Sequence, residues 1–380
     1  MKKKTIAILL MAFVLMIPSA FAAAPSSKNV VIMDAKSNHS FVPIRFLSGF
    51  DGNTVQWDEA AKQLQVTHGN VHIMMTLGQK TATVGGKPVT LQDAPFRDNG
   101  SVYVPLQLIS KELGYKLEWL KTANAVKISS AGASSVLPTV NKPAGQALPK
   151  PIVTAKKTFK VGGRTFSTQM VTVSLMHPQV QLDVVLAGNT PGKVEDLSSI
   201  AKRSGATVAI NGTFFDAYTN GSYKAPYGYI LSKGEVKMPS SGDKRVIFTY
   251  DENQLVRLIP GADFKETFGQ GLIEGGLQAG PRLLVDGKVS LNVKQEGFKD
   301  PKILTGGGAR SALGITKDHK LILLTTGGAT IPQLAEIMRQ AGAYQAMNLD
   351  GGASSGLYYN GKYLTTPGRK ISNALVIKVQ

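Results

Sequence analysis

The stretch "IMRQAGAYQAMN" at residues 337–348 decides the fold of the C-terminal half, because it joins a helix to a strand through a glycine. A Thr330-x-x-Gln333 capping box predicts the start of this helix, and Gly342 predicts its end. The apolar residues that follow predict a buried strand with Asn348 at its carboxyl end. The apolar stripe of the helix consists of Leu334, Ile337, Met338 and Ala341.

The segment "IAKRSGATVAIN" at residues 200–211 aligns with this stretch without a gap, at a spacing of 137 residues. Its helix has a similar apolar stripe and ends at Gly205. We therefore expect two related halves, each with a strand that delivers an asparagine into a glycine-rich loop. Ligands of such sheets often bind at those strand ends. The positions shared by the two segments are Ile200, Gly205, Ala206, Ala209 and Asn211 in the first.

The rest of residues 158–380 consists mainly of short β-type runs separated by glycine turns. The predicted fold class is therefore α+β, with a β-rich C-terminal domain over residues 158–380 that has few helices and a suggested internal duplication. The runs that predict strands or hairpins are "FKVGGRTFSTQMVTVSLM", "VQLDVVLAG", "YGYILSKGEVKM", "RLLVDGKVSL" and "SGLYYNGKYL".

A second repeat, with a spacing of 62 residues, relates "FVPIRFLSGFDGNTVQWDEAAKQLQV" at residues 41–66 to "YVPLQLISKELGYKLEWLKTANAVKI" at residues 103–128. Each copy predicts a short strand, a helix after the proline and a two-stranded return, which together make a small duplicated α+β module over residues 29–130. This pattern resembles the copper amine oxidase N-terminal-like domain, which implies a targeting or spacer module. The alternation around His68 and His72 is typical of strands, so we expect no metal site there.

Residues 1–22 have the pattern of a secretory signal peptide. Lys2–Lys4 form a positive region, an apolar run follows, and Ala20–Ala22 supply a cleavage pattern. The apolar run is shorter than the roughly 20 residues that a membrane span needs. We therefore expect a secreted protein, extracellular or associated with the cell wall, whose mature chain begins near Ala23.

The balance of charges predicts an anionic partner. The formal charge is +18, and 40 basic against 25 acidic residues, or +15, remain without the three signal lysines. Residues 131–157, rich in Ser, Ala, Pro and Lys, predict a semi-stiff basic linker. Because export makes nucleic acid an unexpected partner, an anionic wall polymer or membrane surface is the expectation, with general solubility as the alternative. The chain has no cysteine, which excludes disulfides and thiol nucleophiles.

The sequence "NLDGGASSG" at residues 348–356 follows the predicted buried strand directly. Two glycines and two serines supply more exposed N–H groups and hydroxyls than a turn requires, which favours a ligand with oxygen atoms. A plain Asp-Gly turn is the alternative. The formal G-x-S-x-G match at residues 352–356 does not predict a serine hydrolase, because a hairpin pattern follows it and no later histidine exists.

Two further loops are candidates for the same site. "INGTFFDAYTNG" at residues 210–221 places Asp216 beside aromatic residues, and "TGGGARSALG" at residues 305–314 places Arg310 behind three glycines. Three glycines can cradle an anion with their backbone while an arginine binds it bidentately. Arg282 follows Gly280-Pro281, Arg369 follows Pro367-Gly368, and both are further candidate anion ligands. Simple turns and surface arginines are the alternatives for these positions.

These loops, together with "GPRLLVDGKV" and "RKISNALVI", resemble the phosphodiester glycosidase family over about residues 160–380. The resemblance implies hydrolysis of a sugar 1-phosphodiester, in which the site holds a diester anion and presents a carboxylate to an oxocarbenium-like centre. Asp350 is the expected catalytic carboxylate, with Asp216 or Glu274 as a second acid or base, and we expect no cofactor and no metal. The expected substrate-binding residues are Asn211, Gly212, Arg282, Gly307, Gly308, Arg310, Ser311, Asn348, Gly351, Gly352, Ser354 and Arg369.

The function expected from the sequence is that of an exported hydrolase, which releases a GlcNAc-like sugar from a sugar 1-phosphodiester on an anionic cell-wall or surface glycan. The N-terminal module and the basic linker would add wall association. A non-catalytic binding protein for such glycans is the alternative, although Asp350 beside a phosphate would not help binding. A metal-dependent phosphodiesterase is disfavoured, because His177 and His319 of the C-terminal domain belong to no Asp-rich motif.

Overall fold

The computed structural model of the chain describes residues 28–143, 146, 149–240 and 244–380. The predicted signal peptide at residues 1–22 lies outside these residues. They form a β-rich α+β structure, with an N-terminal module that ends at Asn141 and a C-terminal domain that begins at Ile152, which confirms the predicted fold class. Within the described ranges, no helix is both long and apolar enough to cross a membrane.

The N-terminal module consists of two sheets around one apolar core. Its strands are β1 (Val31–Met33), β2 (Ser40–Pro43), β3 (Thr54–Asp58), β4 (Gln63–His68), β5 (Val71–Thr76), β6 (Thr81–Val84), β7 (Lys87–Thr90), β8 (Phe96–Asp98), β9 (Ser101–Pro105), β10 (Lys116–Leu120), β11 (Ala125–Ser129) and β12 (Ser134–Asn141). Its helices are α1 (Ile44–Leu47) and α2 (Leu106–Leu113). One sheet has the order β10-β11-β12-β1-β2-β9-β8, and the other contains β3 to β7 in sequence order.

The 62-residue repeat is visible in this module, because equivalent strands of the two copies pair with each other. β2 and β9 are antiparallel, and Val42 lies opposite its own equivalent, Val104. Pro43 and Pro105 end these strands and are the N-cap residues of α1 and α2. α2 ends at Gly114, whose φ of +74° is the left-handed conformation that favours glycine. A local twofold axis therefore relates β2 to β9, whereas β3–β4 and the equivalent β10–β11 lie in different sheets.

Strands occupy part of the segment at residues 131–157 that the composition predicted as a linker. Residues 134–141 form β12, which pairs with β11 and, in parallel, with β1. Ile152–Val161 form β13, the edge strand of a C-terminal sheet. The average composition concealed a short apolar run in which Leu137 is fully buried. The lysines of β13 are compatible with an edge strand, because charged side chains there discourage pairing with other chains.

The C-terminal domain contains three sheets and four helices among the described residues. Its further strands are β14 (Arg164–Ser174), β15 (Val180–Leu186), β16 (Val208–Asn211), β17 (Ile230–Ser232), β18 (Glu235–Met238), β19 (Ile247–Tyr250), β20 (Val256–Ile259), β21 (Gly275–Gln278), β22 (Arg282–Val285), β23 (Lys288–Val289), β24 (Gly308–Ile315), β25 (Lys320–Ala329), β26 (Gln345–Asn348), β27 (Leu357–Tyr359), β28 (Lys362–Thr365) and β29 (Asn373–Val379). Its helices are α3 (Leu197–Arg203), α4 (Phe264–Gly269), α5 (Pro301–Leu304) and α6 (Ile331–Gln340). The sheet orders are β13-β14-β25-β24-β26-β22-β23, β15-β29-β16-β27-β28 and β18-β17-β21-β19-β20.

The inner faces of the three sheets share one core, to which they contribute Val171, Val184 and Phe248 among others. The outer faces are covered by α6, α3 and α4 respectively. The two predicted helices are confirmed as α3 and α6, and α6 begins with the predicted capping box of Thr330 and Gln333. The predicted hairpins also form, as β13–β14, β17–β18, β22–β23 and β27–β28. The local patterns therefore determine the elements that surround the candidate site.

Hydrogen bonds join the module to the C-terminal domain. Asn124 Nδ2 donates to Lys317 O at 2.9 Å, and the backbone N–H of Asn29 donates to Asn253 Oδ1 at 2.8 Å. His319 is buried at this interface, where its Nε2 donates to Asn124 O at 2.9 Å. His319 thus connects the two domains.

Candidate active site

The two asparagines that end the repeated segments meet beneath one loop. Asn211 ends β16, Asn348 ends β26, and both side chains are fully buried. Asn211 Nδ2 donates to the carbonyl oxygen of Asp350 at 2.7 Å. Its Oδ1 accepts from Ser311 Oγ at 2.7 Å and from Gly356 N at 3.0 Å. One side chain therefore links β16, β24 and both ends of the loop that follows β26.

The predicted sugar-binding role of these buried residues is not supported by their placement. Asn348 Nδ2 donates to Gly280 O at 2.7 Å, so this side chain also holds the backbone under the loop. Because Asn211, Asn348 and Ser311 are fully buried, they position the loop and offer no polar surface to solvent. Two oxygens of the group, Asn348 Oδ1 and Thr213 Oγ1, have no hydrogen-bond partner among the described residues.

Asp350 is the carboxyl group that this network presents. Its side chain is only 9% exposed, and its Oδ1 accepts from the Gly351 N–H at 2.9 Å. Arg369 Nη2 lies 3.6 Å from Asp350 Oδ2, and Arg369 Nε donates to Ser354 Oγ at 2.7 Å. Burial raises the pKa of Asp350 to about 6, although Ser354, the Arg369 cation and the Gly351 N–H oppose the shift. This carboxyl can therefore gain and lose a proton near neutral pH.

Close backbone approaches explain the glycines around Asp350. A Cβ atom at Gly212 would lie 2.0 Å from Asn373 Oδ1, and one at Gly351 would lie 2.9 Å from Ala309 O. Gly352 has a φ of +59° and begins a short 3₁₀ turn. Side chains at these positions would push the loop away from the strands that support it.

An aromatic wall stands on the other side of Arg369. The guanidinium carbon lies 5.1 Å from the centroid of the Phe215 ring and 5.5 Å from that of Tyr218. These distances allow cation–π attraction, which helps to fix the arginine. Tyr218 is 81% exposed, so it marks the open side of the site. The aromatic residues around Asp216 indicated this wall in the sequence, but their contact with Arg369 could not be inferred because the two segments are distant in the chain.

Asp216 is on the same loop as this wall, and its carboxylate is hydrogen-bonded near its own position in the chain. Asp216 Oδ1 accepts from the Thr219 N–H at 3.1 Å. Tyr227 also bonds to Asp216, and burial together with that carboxylate raises the pKa of Tyr227. Among the described residues no hydrogen bond joins Asp216 to Asp350, and no group of three His, Asp or Glu side chains is arranged to hold a metal ion. Asp216 remains a predicted second acid or base.

Arg310 donates to backbone carbonyls of α5, the segment after it and β25, and does not offer the predicted anion fork. Its Nε donates to Ala329 O at 2.9 Å, and its Nη2 donates to Lys302 O at 2.6 Å and Gly306 O at 2.8 Å. Burial lowers the pKa of Arg310. Its Nη1 faces Gly351, at 3.7 Å from the position of a Cβ there. The bidentate face of this guanidinium is therefore directed mainly to backbone carbonyls.

Gly307 and Gly308 form no separate backbone cradle. A Cβ at Gly307 would lie 3.0 Å from Gly328 O, and Gly308 is paired with Ala329 in the ladder between β24 and β25. The three-glycine run thus serves the close packing of two strand ends.

Arg282 and Glu274 do not join the site. Arg282 begins β22, and its Nη1 donates to Leu258 O at 2.7 Å. Glu274 is exposed and precedes β21, whereas the other end of β21 leads to Gly280, which donates its N–H to Asn348 O at 2.8 Å. The guanidinium of Arg282 is thus turned toward β20 and away from the loop that carries Asp350.

Sequence reasoning missed a cavity of about 250 Å³ that adjoins the loop. Gly352 and Ser355 contribute to its wall from the loop, and Gly368 contributes from the segment that carries Arg369. Pairs of threonines provided a weak signal, but they lie too far apart in the sequence to be associated. The hydroxyl-bearing residues of the wall include Ser167, Thr325, Thr326, Ser355, Thr365 and Thr366.

Comparisons with known proteins match two segments of the chain to domain families. Residues 204–378 match the family model described as phosphodiester glycosidase, and residues 28–128 match the copper amine oxidase N-terminal domain. The chain therefore contains a phosphodiester glycosidase domain preceded by a copper amine oxidase N-terminal domain. No curated protein sequence matches the chain.

Two solved structures share the fold. A hypothetical protein from Synechocystis is 15% identical with a TM-score of 0.53, over 90% of this chain and 94% of that one. The catalytic domain of zebrafish N-acetylglucosamine-1-phosphodiester α-N-acetylglucosaminidase, auto-inhibited by pro-peptide, is 20% identical with a TM-score of 0.54. That match covers 62% of this chain and 86% of the zebrafish chain. At these identities the similarity shows the fold alone.

Proposed function

We propose that the chain is a hydrolase that cleaves the bond between the anomeric carbon of a sugar and a phosphodiester, which releases the free sugar and a phosphate monoester. The observation that carries this proposal is the buried Asp350 carboxyl, paired with Arg369 on the loop after β26. A carboxyl with a pKa near 6 beside one cation suits a reaction that needs both a negative group at carbon and a positive group at phosphate.

The proposed roles follow from charge and position. Arg369 has its Nε on Ser354 and its Nη2 at 3.6 Å from Asp350 Oδ2, so its Nη1 is the nitrogen that we assign to a phosphate oxygen. Asp350, ionised at neutral pH, stabilises the oxocarbenium-like centre or activates its attacker. The phosphate monoester is a good leaving group, so this chemistry depends little on a strong general acid.

The sugar and the setting are further parts of the proposal. An N-acetylglucosamine-like sugar is supported by the substrate in the name of the zebrafish neighbour. An anionic cell-wall or surface glycan as the acceptor is supported by the balance of +15 and the signal-like residues 1–22. Mass spectrometry of secreted protein tests the export step, because a mature chain that begins near Ala23 is expected.

Product analysis tests the reaction. The purified protein is incubated with the methyl phosphodiester of GlcNAc-1-phosphate in ¹⁸O-water, beside Asp350→Asn and Glu274→Gln. We expect free GlcNAc and unlabelled methyl phosphate from the wild type and from Glu274→Gln, whose exposed carboxyl lies at the other end of β21. We expect no turnover by Asp350→Asn. Glu274→Gln is thus a matched control for the loss of one carboxyl.

Three results would contradict parts of the proposal. ¹⁸O in the phosphate product would mean cleavage of the P–O bond, as in a phosphodiesterase. Equal turnover by Asp350→Asn would remove Asp350 from the reaction and leave Asp216 as the next candidate. Binding of the diester without turnover by the wild type would favour the alternative of a glycan-binding protein.

A further inference from the structure

A cavity of about 410 Å³ lies between the N-terminal module and the C-terminal domain. The module contributes β1, α1 and the turn between β8 and β9, and the C-terminal domain contributes the turns after β14 and after β24. Asp350 and Arg369 are not among the described residues that line it. Its volume is within the range of about 300–1,000 Å³ that is typical of small-molecule sites, which often occur at domain interfaces. The cavity is therefore a candidate binding site that is distinct from the candidate active site.

The cations of this wall outnumber its acids. The charged residues that line the cavity are Lys28, Arg45, Asp98, Lys142, Lys317, Asp318 and Lys320. Asp98 Oδ2 lies 2.6 Å from Lys142 Nζ. Asp318 Oδ2 lies 2.7 Å from Lys320 Nζ. Both acids are thus already paired inside the wall, which leaves the other cations without a carboxylate among the described residues.

Lys28 is a buried cation without an acid partner. It is only 5% exposed, and its Nζ donates to Leu175 O and, at 2.6 Å, to His177 O. Burial lowers the pKa of Lys28 to about 7, and no carboxylate among the described residues offsets the shift. The sequence segments that adjoin the lining residues Lys28 and Pro149, residues 1–27 and 144–148, contain no Asp or Glu. Because a buried charge without a counter-ion is costly, an anion that enters the cavity gains a specific advantage there.

Arg45 brings a second positive charge to the same wall. Its Nε donates to Asn29 Oδ1 at 3.1 Å, and its terminal nitrogens donate to Ser101 Oγ and to Lys28 O. Burial lowers the pKa of Arg45, although a hydrogen bond with Tyr103 opposes the shift. A guanidinium has five N–H groups and an ammonium has three, so four partners for Arg45 and two for Lys28 leave at least one N–H on each. Two remaining donors match the two oxygens of one carboxylate.

The wall of the cavity also has an apolar part. The apolar side chains that line it include Val30, Ile32, Pro149, Met176 and Pro178. A polyanion would leave this apolar surface without a partner, and a plain hydrocarbon would leave the two cations without one. The lining therefore fits a molecule that has one acid group and an apolar body.

We infer that this cavity binds a small amphipathic carboxylate, whose acid group pairs with Lys28 and Arg45 and whose body packs on the apolar wall. The site goes beyond the hydrolysis proposed above and does not depend on it. Arg45 belongs to the N-terminal module and Met176 to the C-terminal domain, so the ligand contacts both. Binding therefore strengthens the contact between the two domains.

Binding of defined probes by the full chain tests this site. Hexanoate and 4-phenylbutyrate have both an acid group and an apolar body, 4-phenylbutanamide lacks the charge, acetate lacks the body, and phenyl phosphate replaces the carboxylate. Isothermal titration calorimetry measures Kd for each probe, and a thermal scan measures Tm with and without it. We expect 4-phenylbutyrate to bind at least about tenfold more tightly than its amide or acetate. At about a hundred times Kd it should raise Tm by about 2 °C or more.

One substitution removes the positive charge, and another supplies the missing acid. Lys28→Met should weaken 4-phenylbutyrate binding at least about tenfold, whereas Lys36→Met at an exposed position should not change it. Met176 lies between the two residues whose carbonyl oxygens accept from Lys28, so Met176→Glu introduces a carboxylate near the ammonium. This variant should weaken binding by a similar factor and keep or raise Tm.

Met238→Glu is the matched control for Met176→Glu. Both methionines are half-buried and pack against the same core, but Met238 does not line the cavity. Because no unpaired cation awaits the new carboxylate there, Met238→Glu should lower Tm and leave probe binding unchanged.

Several results would overturn the inference. A wild-type protein that binds neither hexanoate nor 4-phenylbutyrate excludes the site, and equal binding of the amide makes the cavity a purely apolar one. Phenyl phosphate that binds at least tenfold more tightly than 4-phenylbutyrate assigns the cavity to phosphate monoesters instead. Met176→Glu that loses Tm as Met238→Glu does, with probe binding unchanged, removes Lys28 from the site.

The same assay keeps this inference apart from the proposed function. Asp350→Asn should bind 4-phenylbutyrate as the wild type does, because Asp350 does not line the cavity. Weaker binding by Asp350→Asn would place the probe in the candidate active site and overturn the inference. Retained probe binding in a protein that does not hydrolyse the GlcNAc phosphodiester would contradict the hydrolase alone and support the interdomain site.

Discussion

Replacement of Asp350 by asparagine should make the protein inactive and more stable. The carboxyl is buried, and its pKa of about 6 stands above the ordinary value of 3.8 because burial disfavours the charged form. The ionised carboxylate therefore destabilises the folded state relative to the unfolded state at neutral pH. Asparagine has nearly the same shape and can still accept from the Gly351 N–H, so the substitution removes the charge with little loss of packing.

The size and the pH dependence of this effect follow from the two pKa values. A difference of about two units corresponds to about 3 kcal/mol at a pH above 7, where the carboxyl is ionised in the folded and unfolded states. Between pH 6 and pH 4 the folded state binds the proton more tightly than the unfolded state, so acidification reduces the destabilisation caused by Asp350. Below about pH 4 both states are protonated, and the variant should have no advantage.

Urea denaturation at several pH values is the assay, followed by far-UV circular dichroism. Trp57 and Trp119 both belong to the N-terminal module, so tryptophan fluorescence would report on the wrong domain. With a slope of about 2–3 kcal/mol per M, the midpoint at pH 8 should rise by about 1 M and the rise should disappear near pH 4. Buried Asp251 and Lys28 also have shifted pKa values, so only the difference between variant and wild type isolates Asp350.

Glu274→Gln is the control, because that carboxyl is exposed and its replacement should not move the midpoint. A variant Asp350→Asn that is less stable than the wild type at pH 8 would refute the reasoning. An advantage that persists unchanged at pH 4 would refute it equally.

Three other predictions concern the same domain. The kcat/KM of the wild type should rise about tenfold per pH unit below pH 6 and reach a plateau above it, because Asp350 acts ionised; a profile flat from pH 4 to 8 would contradict this. Asn211→Ala should cost about 2–4 kcal/mol and most of the activity, because three buried polar groups lose their partner, whereas Asn220→Ala at an exposed position should change neither in a denaturation assay. Replacement of the three exposed β13 lysines, Lys156, Lys157 and Lys160, by glutamine should weaken retention on a polyglycerol-phosphate resin about three- to tenfold, at low salt only. The control replaces three exposed lysines of the N-terminal module, Lys111, Lys116 and Lys121. An equal loss of retention in the control would place the contact on the N-terminal module instead.

The elements of the fold could be predicted where the signal is local. The capping box and apolar stripe of α6 occupy twelve consecutive residues, and each hairpin has its turn residues between its strands. The convergence of Asn211 and Asn348 was also predictable, since both follow a helix–glycine–strand segment. By contrast, the sequence did not predict strand β12, because the buried Leu137 lies in a stretch whose average composition is that of a linker.

The roles of side chains were less predictable, because burial depends on distant parts of the chain. Asn211 and Asp350 are both polar residues at or just after strand ends. The side chain of Asn211 makes three internal hydrogen bonds, whereas that of Asp350 faces the Arg369 cation. Arg310 has the residue type of an anion ligand, but its partners are carbonyls of segments on both sides of it in the sequence. Cavity walls such as the Thr325–Thr365 contact join positions with no shared local pattern.

The β2–β9 pair joins the two copies of the repeat in the N-terminal module. Val42 faces Val104 about an axis that exchanges the two copies, so the contact is isologous, as in a homodimer. At this strand pair, the two copies of the module meet as two subunits of a homodimer would. Excision of either copy would leave the other with a bare, self-complementary strand edge, and two such half-modules would pair again across it.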